Sequence, residues 1–195
     1  MTLSVIIPVR SLDKIPSIPP GADEVILQSG RGIAHARNAG ARRATGDVLL
    51  QSDDDVELVG DLSWLRDPPA DEAWWLPAGF VNATDDQYTT TLCAMLNVQI
   101  LFRGLGASVG SFQAVRARAF RELGGYDETK FQEDWDLPRR LRKAYGRPGV
   151  APVTVRILRP TAKFGAVIDR PRGGTDGPFR RLVPAQVATG GLRTG

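Results

Sequence analysis

The chain has 195 residues, 42% of them hydrophobic and 24% charged, which suits one domain with a substantial core and is cramped for two. It contains no apolar run approaching the roughly 20 residues of a membrane-spanning helix, and "MTLSVIIPVR" has neither the basic start nor the small-residue cleavage site of a secretory leader, so the default expectation is a cytoplasmic protein. A single cysteine, Cys93, and a single histidine, His35, exclude an internal disulfide and a zinc site of the usual kind; any metal has to be held by oxygen.

The net charge of +3 conceals two halves of opposite sign. Residues 1 to 137 carry 12 Lys and Arg against 20 Asp and Glu, whereas residues 138 to 195 carry 13 against 2. A basic C-terminal segment of this kind points to phosphate on a nucleotide, a lipid headgroup or a nucleic acid, or else it neutralises the acidic body.

In chain order, "LSVIIPV" (3 to 9) is a β-branched apolar run closed by proline and predicts a strand buried on both faces. "RSLDKIPSIPPGAD" (10 to 23), with Pro16, Pro19 and Pro20 and no helical period, predicts a loop. "EVILQ" (24 to 28) predicts a second strand, and "IAHARNAGARRA" (33 to 44) a helix with a narrow stripe of small residues. "DVLLQS" then predicts a third strand. Strand, helix, strand in this order implies a crossover within a parallel sheet. Farther on, "DDQYTTTLCAMLNVQILFRGLGASVG" (85 to 110) predicts a helix, "SFQAVR" a strand and "RARAFREL" a short helix. "GGYDE" predicts a turn. "EDWDLPRRLRKAYG" predicts a helix that starts acidic and ends basic, as the macrodipole favours, with Pro138 in its first turn.

Two acidic clusters carry the chemical information. Asp53, Asp54 and Asp55 follow the third strand, at the carboxyl end where open α/β sheets bind ligands. Two carboxylates one residue apart at a strand end can face the same side and suit a hard divalent cation that also binds substrate phosphates. Asp53 and Asp55 are therefore the candidate metal and nucleotide clamp, with a solvated acidic turn as the alternative. Glu133, Asp134 and Asp136 form the second cluster, for which ordinary helix N-terminal chemistry is the alternative.

The ordered blocks "SVIIPVR", "ARNAGARRATGDVLLQSDDDVEL", "VRARAFRELGGYDE" and "EDWDLPRRL" resemble glycosyltransferase family 2, inverting GT-A enzymes that move a sugar from a nucleotide diphosphate to an acceptor hydroxyl or lipid phosphate. The resemblance covers positions 3 to 146. It implies an α/β fold with a Rossmann-like, mainly parallel central sheet flanked by helices. The catalytic domain would span 1 to 164, with a basic Gly/Arg-rich tail from 165 to 195. It places the DxD roles on Asp53 (ribose and metal) and Asp55 (Mn²⁺ or Mg²⁺), and the general base on Asp134 with Glu133 beside it. It extends nucleotide binding to Pro8, Val9, Arg10, Gln28 and Arg31. Gln28 stands by position where many members carry the base-binding aspartate, and the proline-rich loop replaces the first helix. Arg37 is a further nucleotide contact or a salt bridge on the helix surface. His35 is assigned a structural or surface role, not a metal one.

The chemistry suits these residue types, since inverting transfer needs one carboxylate to take the acceptor proton and a divalent metal to stabilise the departing diphosphate. "DRPRGGTDGPFRR" (169 to 181) has the composition of a flap over the diphosphate or of a disordered tail. The apolar residues Leu92, Leu96 and Ile100 suit a lipid-linked acceptor and peripheral membrane contact, a core helix, or a homodimer surface. The partner expected is a nucleotide-diphosphate sugar and not a nucleic acid. Two rival readings are a GT-A-like module that binds a nucleotide or polyanion without turnover, and a sugar-phosphate nucleotidylyltransferase. The first has no use for two converging acidic blocks, and the second normally has a glycine-rich loop after strand one, which "PVRSLDKIP" is not.

Overall fold

The computed structural model describes residues 1–13, 16–18, 20–30, 32–102, 110–130, 133–159 and 176–183. Its centre is the parallel trio β3 (Val48–Ser52), β1 (Leu3–Pro8) and β2 (Glu24–Gly30). Leu3 through Ile7 and all of β3 are buried, as expected of strands covered on both faces. Helix α1 (Ile33–Arg43) leaves the end of β2 and returns the chain to β3. Its small residues let it lie close on the sheet: a Cβ at Gly40 would stand 2.4 Å from Ile6 Cγ2. The carboxyl ends of β1, β2 and β3 consequently share one edge, and the aspartate triplet follows β3 there.

The eight strands form one mixed sheet in the order β4-β7-β5-β6-β3-β1-β2-β8. Beyond β3 lie β6 (Phe112–Arg116) and then β5 (Trp74–Asn82), each antiparallel to its neighbour; β7 (Gly149–Ile157) runs parallel to β5, and β4 (Val56–Val59) closes that edge antiparallel to β7. Helices α1, α3 (Ala117–Glu122) and α4 (Glu133–Tyr145) cover one face, where Ile6, Leu49, Phe120, Leu137 and Leu141 pack together. On the other face α2 (Gln87–Leu101) contributes Cys93 and Leu96 to a second cluster with Val5, Leu50 and Trp75. Leu92 and Ile100 pack against it too, while Met95, Val98, Leu101 and Phe102 face outward. α2 is thus a core helix with an apolar outer stripe. No helix among the described residues is long and apolar enough to cross a membrane.

The C-terminal segment contributes to the sheet. Within the expected basic tail, β8 (Asp176–Leu182) pairs antiparallel with β2 and buries Leu182. Arg181 joins Glu24 at 3.2 Å, and Arg43 lies 4.6 Å from the Phe179 ring centroid. Residues 176 to 181 of the proposed flap are therefore strand, and 169 to 175 lie outside the described residues.

Candidate functional site

The sheet register brings the two acidic clusters together. β6 runs antiparallel to β3 with Phe112 opposite Ser52, which sets Gly110 and Ser111 beside the aspartate triplet. Ser52 Oγ donates to the Ser111 carbonyl at 3.1 Å, and Ser111 Oγ donates to Asp53 Oδ2 at 3.1 Å. One residue earlier, the Gly110 amide donates to Asp134 Oδ2 at 3.4 Å. Adjacent residues thus touch the strand-end cluster and the start of α4.

Arg37 makes the second connection. It is 1% exposed, so the surface salt bridge and the open nucleotide contact expected of it give way to a buried bridge. Its Nη2 donates to Asp53 Oδ1 at 2.7 Å, and its Nη1 to Glu133 Oε1 at 3.3 Å. The guanidinium also lies 5.5 Å from the ring centroid of Tyr126. Burial would favour the neutral guanidine, but Asp53, Tyr126, Glu133 and Asp134 outweigh it and hold Arg37 firmly as a cation.

A polar layer supports this bridge. Tyr126 Oη donates to Gln113 Oε1 at 2.6 Å, and Gln113 Nε2 donates to the Asp134 carbonyl at 2.7 Å. Asn38, next to Arg37 on α1, exchanges two 2.9 Å hydrogen bonds with the Tyr126 backbone. Arg140 ties α4 to the preceding turn through the carbonyls of Leu123 and Gly125, at 2.8 and 2.6 Å, and pairs with Asp136 at 2.7 Å. Asp136 therefore does the ordinary helix-surface work that Glu133 does not. Gly110, Ser111, Gln113 and Tyr126 were not singled out from the sequence; the available signal was their place inside the blocks "GSFQAVR" and "GGYDE".

Asp55 and Asp134 are both raised by burial but differ in their charged neighbours. Burial raises the Asp55 carboxyl above its ordinary value, Asp53 and Asp54 raise it further, and Arg159 partly opposes them. Burial likewise raises Asp134, against the lowering effect of Arg37 and of the Gly110 amide. No group of three or more His, Cys, Asp or Glu suited to a metal occurs among the described residues. The donor set still fits a hard cation of the type that uses one or two carboxylates and completes its shell with water and phosphate. Asp55 is an oxygen donor crowded by like charge, which a divalent ion would relieve. Asp53 is already engaged on both oxygens by Arg37 and Ser111.

The other candidates are distributed around the same edge. Pro8 pairs in register with Gln28, and the buried Val9 donates its amide to the Gln28 carbonyl at 2.9 Å, while Arg10 is exposed. Gln28 is fully buried: Nε2 donates to the carbonyls of Ser29 and Gly177 at 2.6 and 3.0 Å, and Oε1 accepts from Arg43 at 3.0 Å. Its side chain joins β2 to β8 and to α1 through these hydrogen bonds. Arg31 lies outside the described residues. His35 pairs with Glu128 at 2.7 Å, between α1 and the turn after α3.

No family model and no curated protein matches the chain. Solved structures do. A mannosyltransferase from Pyrobaculum calidifontis, solved with GDP-Man and Mn²⁺, is 19% identical over 84% of this chain and 58% of that one, with a TM-score of 0.54. Glucosyl-3-phosphoglycerate synthase from Mycobacterium tuberculosis, in complex with phosphoglyceric acid, is 12% identical over 83% of this chain and 73% of that one, with a TM-score of 0.52. The chain has the fold of the GT-A glycosyltransferases. At these identities the likeness is one of fold, and the chain spans little more than half the length of the mannosyltransferase.

Proposed function

We propose that the protein is a metal-dependent inverting glycosyltransferase that takes a sugar from a nucleoside diphosphate, UDP or GDP, and delivers it to an acceptor hydroxyl or lipid phosphate. The observation that carries this reading is the convergence of the two acidic clusters through Gly110–Ser111 and Arg37. A sheet that merely capped a strand and a helix would have no need to join them. The neighbouring mannosyltransferase, solved with GDP-Man and Mn²⁺, supports a nucleotide sugar and a divalent cation.

In this reading Asp55, with Asp53, would hold Mn²⁺ or Mg²⁺. When bound, the cation supplies charge neutralisation to the diphosphate leaving group. Pro8 to Arg10, Gln28 and Arg31 are the nucleotide-side candidates. Asp134 acts on the acceptor: its carboxylate removes the hydroxyl proton as the acceptor oxygen attacks the anomeric carbon. Partial burial brings its basicity closer to the working pH, which favours a general base. Glu133, held by Arg37, orients the helix start.

A thermal-shift screen of UDP-, GDP- and TDP-sugars, with and without Mn²⁺, tests the reading. One donor is expected to raise Tm only when metal is present, because ligands that bind the native state stabilise it by mass action. No shift with any donor, with or without metal, would contradict it.

A further inference from the structure

We propose that Arg37 is a positioning residue for transfer: a buried cation that holds the donor-side carboxylate Asp53 and the acceptor-side start of α4 in one register. This rests on the glycosyltransferase reading above and adds a role that neither acidic cluster reveals alone. A guanidinium presents donors in a fixed planar fork, so it can join two separate carboxylates while keeping them at a set separation. Here the fork joins β3 to α4 through Asp53 and Glu133, at 2.7 and 3.3 Å.

The surroundings leave it little freedom. Tyr126 covers one side of the guanidinium. Gly110 supplies the needed space, since a Cβ there would stand 2.0 Å from Arg37 Nη2. A second route leads from Arg37 to Asp134 through Tyr126, Gln113 and the Asp134 carbonyl. Removing the cation therefore disturbs both the direction of the Asp134 carboxylate and its charge environment. Among the described residues, the charged and titratable groups around Asp134 are Arg37 from α1, Asp53 from the end of β3, Tyr126 from the turn after α3, and Glu133 and Asp136 on its own helix.

The test uses the full chain, Arg37→Lys, and the double variant Arg37→Met/Glu133→Gln, which removes the buried cation together with one of its anions. Binding of Mn²⁺ with UDP or GDP is followed by calorimetry, and nucleotide release from UDP-glucose and GDP-mannose is followed across pH. Arg37→Lys is expected to keep donor KM within about threefold while kcat falls about tenfold or more. The acid limb of the kcat profile should move to higher pH, because an ammonium on a shorter side chain cannot fork to both partners and holds its charge farther from the carboxylate of Asp134. The double variant should bind nucleotide with Mn²⁺ and also lose turnover; it decides the matter if Arg37→Lys does not fold. Unchanged kcat and acid limb in a folded variant, or a change confined to KM, would overturn the positioning role while leaving the functional reading in place. Absence of both binding and release in the wild-type chain would overturn the functional reading and this role with it.

Discussion

Ser111 donates its hydroxyl to Asp53, and its neighbour Gly110 donates its amide to Asp134, so one bend in the chain touches two carboxylates that lie 81 positions apart in sequence. The bend is set by β6 pairing antiparallel with β3.

Gly110 is a sensitive position because the missing side chain is what admits the guanidinium of Arg37. Arg37 cannot yield, being fixed by Asp53, Glu133 and Tyr126. Gly110→Ala should therefore destabilise the protein by about 1–3 kcal/mol, the usual cost of overpacking, and lower turnover as well. Urea denaturation with a parallel nucleotide-release assay measures both; wild-type stability and activity would show that the bridge adjusts freely.

Asp55 carries the metal claim. Asp55→Ala should abolish Mn²⁺-dependent nucleotide binding while Tm stays level or rises, because one of three crowded carboxylates is gone. Asp54→Ala should matter much less. Calorimetric titration of Mn²⁺ with UDP or GDP distinguishes the variants, and undiminished affinity in Asp55→Ala would rule out its role.

Much of the site-bearing half was legible in the sequence. β1, β2, α1 and β3 follow from apolar runs and breakers, and both acidic clusters stand out as charge at element ends. β6 was legible too, as "SFQAVR", whereas β4, β5, β7 and β8 were not. β7 alternates buried and open positions from Gly149 to Ile157 and had a period-two signal, whereas β5 interrupts its run with Pro77 and Gly79. β8, "DGPFRRL", reads as loop because most of its side chains remain exposed and its order comes from pairing with β2. Arg37 stood out as a nucleotide or surface contact, but its burial has only a faint signal: it lies at i, i+4 spacing between Ile33 and Ala41, where a charge is unexpected unless a partner waits across the core.

Because β8 is part of the sheet, truncation after Arg159 should cost stability as well as any tail function. It removes the buried Leu182, the pairing with β2 and the Arg181–Glu24 ion pair. Tm should fall by about 5 °C or more. Scanning calorimetry of the truncated chain checks this, and an unchanged Tm would mean that β8 contributes nothing to the fold.

Glu24 gives the stability a pH dependence of definite sign. Burial pushes its carboxyl up, but hydrogen bonds from Ser4 Oγ at 2.6 Å and from Thr45, together with Arg181, bring it below its ordinary value. The native state then binds fewer protons than the unfolded chain, so this contribution is present above the unfolded carboxylate pKa and is lost as pH falls through the lowered native one. Glu24→Gln should lower Tm near neutral pH and flatten its decline toward acid. Equal acid sensitivity in wild type and variant would remove Glu24 as a cause.

The most direct measurement of the central claim compares donor affinity and sugar transfer in Asp134→Asn. The exchange preserves size and the ability to accept from the Gly110 amide, so the fold and the metal side should be unaffected. The expected result is near-normal nucleotide-sugar binding with Mn²⁺ and a turnover reduced by about 10²-fold or more, the scale of a lost general base; Glu133→Gln should have the smaller effect. Full turnover in both variants would contradict the account and return the acidic start of α4 to helix-end electrostatics.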